Sequence, residues 1–291
     1  MPASQRIIFV GGIYGRMGTT IMKALLCGHP DVSAVSGQET RLIESVSNLW
    51  TMLLADVAYS PEAAVTALAR FTSHVRGTLG DTPELRSALG QLERSLGVRY
   101  TRLPGSWPRL PLPSPQQEQG LTAALGTFVR QAFSAAALDP SLPVLCEKTP
   151  SNALFIRRMH RLLPEARMVV MLRDPVAAAL SCTEHQWAPS DPLESASYNA
   201  AYFQRWRHLA VNDERCLVVR YEDLLAEPAR VFASVLDHLR LRPVAAVVRQ
   251  ACEQLGAGAD RRAALPEPLR AAMGARLGDA LRHFGYADAP S

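Results

Sequence analysis

The chain has 291 residues, 48% of them hydrophobic and 20% charged, which is enough apolar material for a proper core and excludes a chain that is disordered throughout. Its formal net charge is +4, and the basic residues are scattered instead of gathered into a tail or a run, which favours small anionic ligands over a nucleic-acid track. All but two of the 31 basic residues are arginine, so Lys23 and Lys148 stand out.

Residues Arg6–Val10 form a short apolar run that ends in Gly11-Gly12, crosses a glycine-rich turn through Gly15 and Gly18, and enters a helical pattern from Thr19 to about Leu26. Residues 42–100 have helical periodicity with few strand signals and read as a helical insertion, extending to about 137. The segment 101–119 carries five prolines beside Trp107 and reads as an ordered surface loop, because proline lacks the amide proton a regular helix or central strand needs. A helix is expected around 120–137, then a strand at Val144–Cys146, a basic amphipathic helix at Asn152–Leu163 with a solvated arginine face, and a continuous apolar strand at Met168–Leu172. Leu217–Val219 repeats that buried pattern. Strands separated by helices predict an α/β fold, a P-loop-like parallel sheet flanked by helices, in a single domain over 1–291.

Five cysteines, odd in number and widely spaced, with no C-x-x-C pair and no clustered histidines, predict structural thiols in a reduced compartment and no zinc site. No signal peptide is readable, and no run approaches the roughly 18 apolar residues of a membrane span. A soluble cytoplasmic protein is expected, with no membrane and no nucleic-acid partner.

Three segments carry chemistry. Gly11 to Thr20 is a glycine-rich turn feeding a helix N-terminus, where backbone amides and the helix dipole favour a phosphate-sized anion; Arg16 adds a cation, and Thr19 and Thr20 add donors. A tight turn capped by threonines is the bland alternative. An NTP-binding P-loop would have lysine where Thr19 stands and glycine where Ile13 stands, and the strand Met168–Leu172 ends in Arg173 instead of a magnesium-binding acid. That pattern suits a donor used without a metal. The second segment is Arg173-Asp174-Pro175 at a strand's carboxyl end, with Ser181 two turns into the next helix; Asp174 and Pro175 suit a helix N-terminus. The third is Cys146-Glu147-Lys148-Thr149-Pro150, which sets Lys148 just after a strand.

Together with Phe9-Val10-Gly11-Gly12, His29-Pro30-Asp31-Val32 and Gly37-Gln38-Glu39-Thr40-Arg41, these motifs resemble, in order and spacing, the tyrosylprotein sulfotransferases and their bacterial relatives. The likeness covers two stretches, about 6–45 and 144–225; the helical insertion and the C-terminal segment 226–291 lie outside it. It implies 3'-phosphoadenosine-5'-phosphosulfate (PAPS) as donor, PAP as product and no metal. Arg16, Met17, Gly18, Thr19 and Thr20 then match the 5'-phosphosulfate site, with Met17 in place of the usual serine. Arg173 and Ser181 match the 3'-phosphate clamp, and Tyr221 matches a tyrosine beside the donor. His185 stands near another basic contact of the family.

Glu39 matches the family's catalytic base, Arg41 would orient that base or the substrate, and Arg16 and Lys148 would stabilise charge on the leaving phosphate. Capping of the following helix by Glu39-Thr40 is the alternative. The implied acceptor is a peptide or protein tyrosine near acidic residues, for which Arg102, Arg109, Arg261 and Arg262 are candidate contacts; carbohydrates and small phenols are the nearest alternatives, and a non-catalytic nucleotide-binding module is the alternative of another class. Resemblance alone points to a homodimer.

Overall fold

The computed structural model describes residues 5–37, 39–55, 61–100, 115–209, 213–255 and 264–286. In chain order the elements are β1 (Arg6–Gly12), α1 (Thr19–Cys27), β2 (Val32–Ala34), α2 (Leu42–Ala55), α3 (Pro61–Leu79), α4 (Pro83–Tyr100), α5 (Pro115–Ala135) and β3 (Val144–Lys148). A short 3-10 helix (Pro150–Phe155) follows, then α6 (Ile156–Leu162), β4 (Arg167–Leu172), α7 (Pro175–Cys182), α8 (Pro192–Leu209), β5 (Cys216–Arg220), α9 (Tyr221–Ala226), α10 (Pro228–His238), α11 (Ala245–Gln254) and α12 (Glu267–His283). The five strands form one sheet in the order β2-β3-β1-β4-β5. The β1–β4, β2–β3 and β4–β5 pairs are parallel, with Gly12 beside Met171 and Leu172 beside Arg220. This is the expected P-loop-like α/β class with a helical insertion.

Continuous apolar sequence explains the central strands. Every residue of β3 is buried, as is every residue of β4 after Arg167, which is the pattern of strands covered on both faces. β5 departs from it: it is an edge strand and Val218 is 43% exposed, so its apolar run does not mark a buried strand. β2 escaped the sequence because three residues are too few to show a period.

The chain divides into two compact units of interleaved segments. The first comprises Met1–Ile7, Asp31–Glu147 and Phe155–Ala166, and holds α2 to α6. Within it Phe71 meets Phe128 edge-on at 5.5 Å. The arginines of α6 are not a purely solvated face: Arg158 lies over the buried Trp50 ring at 4.6 Å and donates to Ser47 O and Thr51 Oγ1, and Arg161 pairs with Glu118 at 3.2 Å. An arginine stem covers apolar surface while its head finds acceptors, and that escapes a simple polar-face reading. The expected helix from Asn152 begins instead as the 3-10 turn.

Of the proline-rich segment, 101–114 lies outside the described residues, and 115–119 already belongs to α5. Pro115 opens that helix at a position where the missing amide has no intrahelical acceptor to lose. In the same unit α5 runs so close to α6 that a Cβ on Gly126 would lie 2.4 Å from Leu162 O.

The second unit comprises Ile8–Pro30, Lys148–Leu154 and Arg167–Ser291. Here α12 packs on α7 and α8, and the Phe284 ring meets Phe203 and Trp206, each at 5.3 Å. α10 presents a strongly one-sided apolar face whose Val231, Phe232, Val235 and Leu236 are buried. No described helix is long and apolar enough to cross a membrane.

The α5–α6 approach gives a test of the packing. Gly126→Ala should destabilise the chain by about 1–3 kcal/mol through backbone overlap, although alanine is the better helix former by about 1 kcal/mol. Denaturant unfolding measures it, and a neutral or stabilised variant would contradict the close approach.

Candidate functional site

The turn from β1 into α1 is built around Gly18, whose φ of 88° lies in the left-handed region. A Cβ there would fall 2.6 Å from Cδ2 of Tyr221, so the Tyr221 ring sits directly on the glycine at the start of α1. Arg16 also has positive φ, 63°, a strain of about 1–2 kcal/mol for a residue with a Cβ. The N-terminus of α1 has no side-chain cap and no acidic residue in its first turn. Its amide donors are therefore left to something other than a capping side chain.

Two strand ends bring further groups to this turn. Arg173, just past β4, points one guanidinium nitrogen at Arg16 O (3.4 Å) and lies over the Tyr221 ring at 5.1 Å. Asp174 caps α7, accepting from the Ala177 amide at 2.8 Å with Pro175 in the first turn, as its sequence suggested. α7 then carries Ser181, whose buried hydroxyl accepts from Arg16 Nε at 3.0 Å. That hydroxyl still has its proton to donate. Among the described residues neither Arg16 nor Arg173 pairs with a carboxylate. Two guanidinium groups with no described carboxylate partner, a hydroxyl donor and an uncapped helix N-terminus have the chemistry to hold an anion.

The turn is supported from its other side. Cys182 Sγ donates to Gly15 O at 3.8 Å, and burial pushes its thiol pKa up to about 11, so it stays protonated. Trp187 lies on Gly15, 57% exposed, with its ring stacked on His185 and edge-on to Tyr14. Tyr14 also meets Tyr202 at 4.6 Å; burial, then the neighbouring Cys182 and tyrosines, raise its phenol pKa to about 12. His185 keeps a buried Nε2 without a hydrogen-bond partner among the described residues. Trp187 carried no sequence signal; only the fold shows it above the glycine turn.

The structure thus brings Arg16, Gly18, Arg173, Ser181 and Tyr221 together. Thr19 is buried and Thr20 exposed, both in the first turn of α1. Met17 is expected in the same site, but the residue is fully buried. Lys148 ends β3 in the same unit and is 5% exposed.

Glu39 and Arg41 belong to the other unit, where both are exposed and Arg41 has a φ of 47°. Between them Thr40 is buried: its hydroxyl donates to Glu147 Oε1 at 2.8 Å and accepts from the Leu42 amide at 3.3 Å. Of the expected pair Glu39-Thr40, Thr40 thus meets the first amide of α2. Glu147 is 0% exposed and carries no motif signal of this role. Arg102, Arg109, Arg261 and Arg262 lie outside the described residues. Among the described residues no group of His, Cys, Asp or Glu is arranged to hold a metal.

Comparison with known proteins follows the same lines. The chain is 23% identical over 245 residues to the protein-tyrosine sulfotransferase of Drosophila melanogaster, covering 80% of this chain and 38% of the fly protein. Protein-tyrosine sulfotransferase 1 of Danio rerio is 23% identical over 246 residues, covering 81% and 53% of the two chains. This chain therefore spans well short of the full length of these relatives. In fold it resembles sulfotransferase STF9 from Mycobacterium avium, with a TM-score of 0.51, 16% identity and coverage of 98% and 78%. The sulfotransferase domain of the Synechococcus PCC 7002 olefin synthase gives 0.50, 17%, 98% and 95%. The profile described as the Sulfotransferase family matches residues 8–245, most of the chain, and the chain belongs to that family.

Proposed function

We propose that this chain transfers a sulfuryl group from PAPS to the hydroxyl of a tyrosine in a peptide or protein. The observation that carries the donor half is the pair of guanidinium groups at the glycine turn, Arg16 donating to Ser181 and Arg173 lying over Tyr221, with no described carboxylate to neutralise them. The fit to PAPS is one of charge. The donor has anionic groups at its 5' and 3' positions, and the cluster offers the uncapped α1 N-terminus with Arg16 for one and Arg173 with Ser181 for the other. Family membership supports the reaction class, and the names of the relatives support tyrosine as acceptor.

In this reading the tyrosine oxygen attacks sulfur, a new S–O bond forms, and the bond between sulfur and the bridging oxygen breaks with its electron pair going to the phosphate. Glu39 accepts the phenolic proton. A phenol with a pKa near 10 is almost wholly protonated at neutral pH, so its attack needs an acceptor at hydrogen-bond reach. Arg16 and Lys148 stabilise the negative charge that grows on the bridging oxygen. Cations aimed at the atom on which charge develops stabilise the transition state more than the ground state. Arg41 orients the base or the acceptor, and the buried Thr40–Glu147 hydrogen bond fixes the residue between them.

Two sets of variants test these roles. Glu39→Ala and Lys148→Ala should each lower PAPS turnover on an acidic tyrosine peptide by about 100-fold or more, with PAP binding retained in Glu39→Ala; unchanged turnover would remove the mechanism. Gly18→Ala forces a side chain into a left-handed turn and against Tyr221, and calorimetric titration should show PAP affinity falling by about tenfold or more. Undiminished affinity would mean that the turn is not the donor site.

A further inference from the structure

Behind Arg173 lies a second set of contacts that the roles above do not use. Glu222, in the first turn of α9, accepts from the Asp174 amide at 2.9 Å with one carboxylate oxygen. Its other oxygen accepts from the Tyr286 hydroxyl at 2.7 Å. Tyr286 is 2% exposed and lies beneath the Arg220 guanidinium, 4.0 Å from its ring centre.

The chain delivers that tyrosine by a specific turn. α12 ends in a Schellman arrangement, with the Gly285 amide donating to Arg282 O and the Tyr286 amide to Leu281 O, and with Gly285 in the left-handed region at φ 69°. Burial first, and then the Glu222 carboxylate, push the phenol's ionisation well above its usual range, so it remains a donor.

The Asp174 amide is a sensitive point. It directly follows Arg173, and Asp174 is the N-cap of the helix that carries Ser181. One hydrogen bond therefore holds the origin of both groups assigned to the 3'-phosphate. Glu222 is also the chain neighbour of Tyr221, whose ring seats Gly18 and receives Arg173. We infer that Glu222 and Tyr286 are positioning residues for the 3'-phosphate clamp, through which the end of α12 sets the placement of Arg173 and Ser181. The inference rests on the donor site proposed above and adds the residues that hold it.

The test is the affinity of the full chain for PAP and for 5'-AMP, which lacks the 3'-phosphate, measured by calorimetry in wild type, Tyr286→Phe and Glu222→Gln. Tyr286→Phe keeps the ring under Arg220 and removes the hydroxyl with its bonds to Glu222 and Arg220; Glu222→Gln keeps the shape and weakens both hydrogen bonds. Each should reduce PAP affinity by about tenfold, the size of a lost hydrogen bond to a charged group, and change 5'-AMP affinity by less than about twofold. A wild-type preference for PAP that persists unaltered in both variants would overturn the inference alone. So would equal losses for the two ligands, which would mark a purely structural role. A wild type with no preference for PAP over 5'-AMP would overturn the clamp itself and this inference with it.

Discussion

Two guanidinium groups at one glycine turn, with no carboxylate partner among the described residues, are the constraint on which the rest of the site depends. Arg16 is fixed by Ser181, Arg173 by the Arg16 carbonyl and the Tyr221 ring, and the turn that carries Arg16 is itself strained. Such an arrangement is unfavourable by itself, since like charges repel and a left-handed non-glycine residue costs energy. An anion between them offsets the repulsion, while the backbone strain stays in the turn. The fold supplies the geometry by ending β1 and β4 side by side and by opening α9 directly after β5, so that Arg16, Arg173 and Tyr221 leave neighbouring strand ends. Ligands of parallel α/β sheets gather at those ends for the same reason.

Much of this cluster is legible in the sequence because it is local. Gly11 to Thr20 encodes strand, turn and helix N-terminus in ten residues, and Arg173-Asp174-Pro175 announces a strand end and a helix cap at once. The buried strands were readable from unbroken apolar runs. What escaped depends on partners far along the chain. Val32–Ala34 becomes a strand only beside β3, Arg158 leaves solvent only because Trp50 is there to cover, and the half-exposed β5 reads as a core strand until its edge position is known.

The same distinction holds for the remaining residues. Glu39 and Arg41 were singled out by resemblance, and the structure adds the physical reason their segment holds its shape: Thr40 is buried against Glu147 between them. Tyr286 lies 64 residues from the carboxylate it serves, and the only sequence trace of its turn is the glycine before it. Trp187 over Gly15 is of the same kind, a contact set by tertiary packing with no motif of its own.

The most direct measurement is transfer of labelled sulfate from PAPS, without added metal, to a tyrosine peptide flanked by acidic residues, beside its Tyr→Phe control, simple phenols and sugars. Label on the tyrosine peptide and none on its phenylalanine control is the predicted result. Label confined to sugars or simple phenols would contradict the acceptor, and no transfer to any of them would contradict the account as a whole.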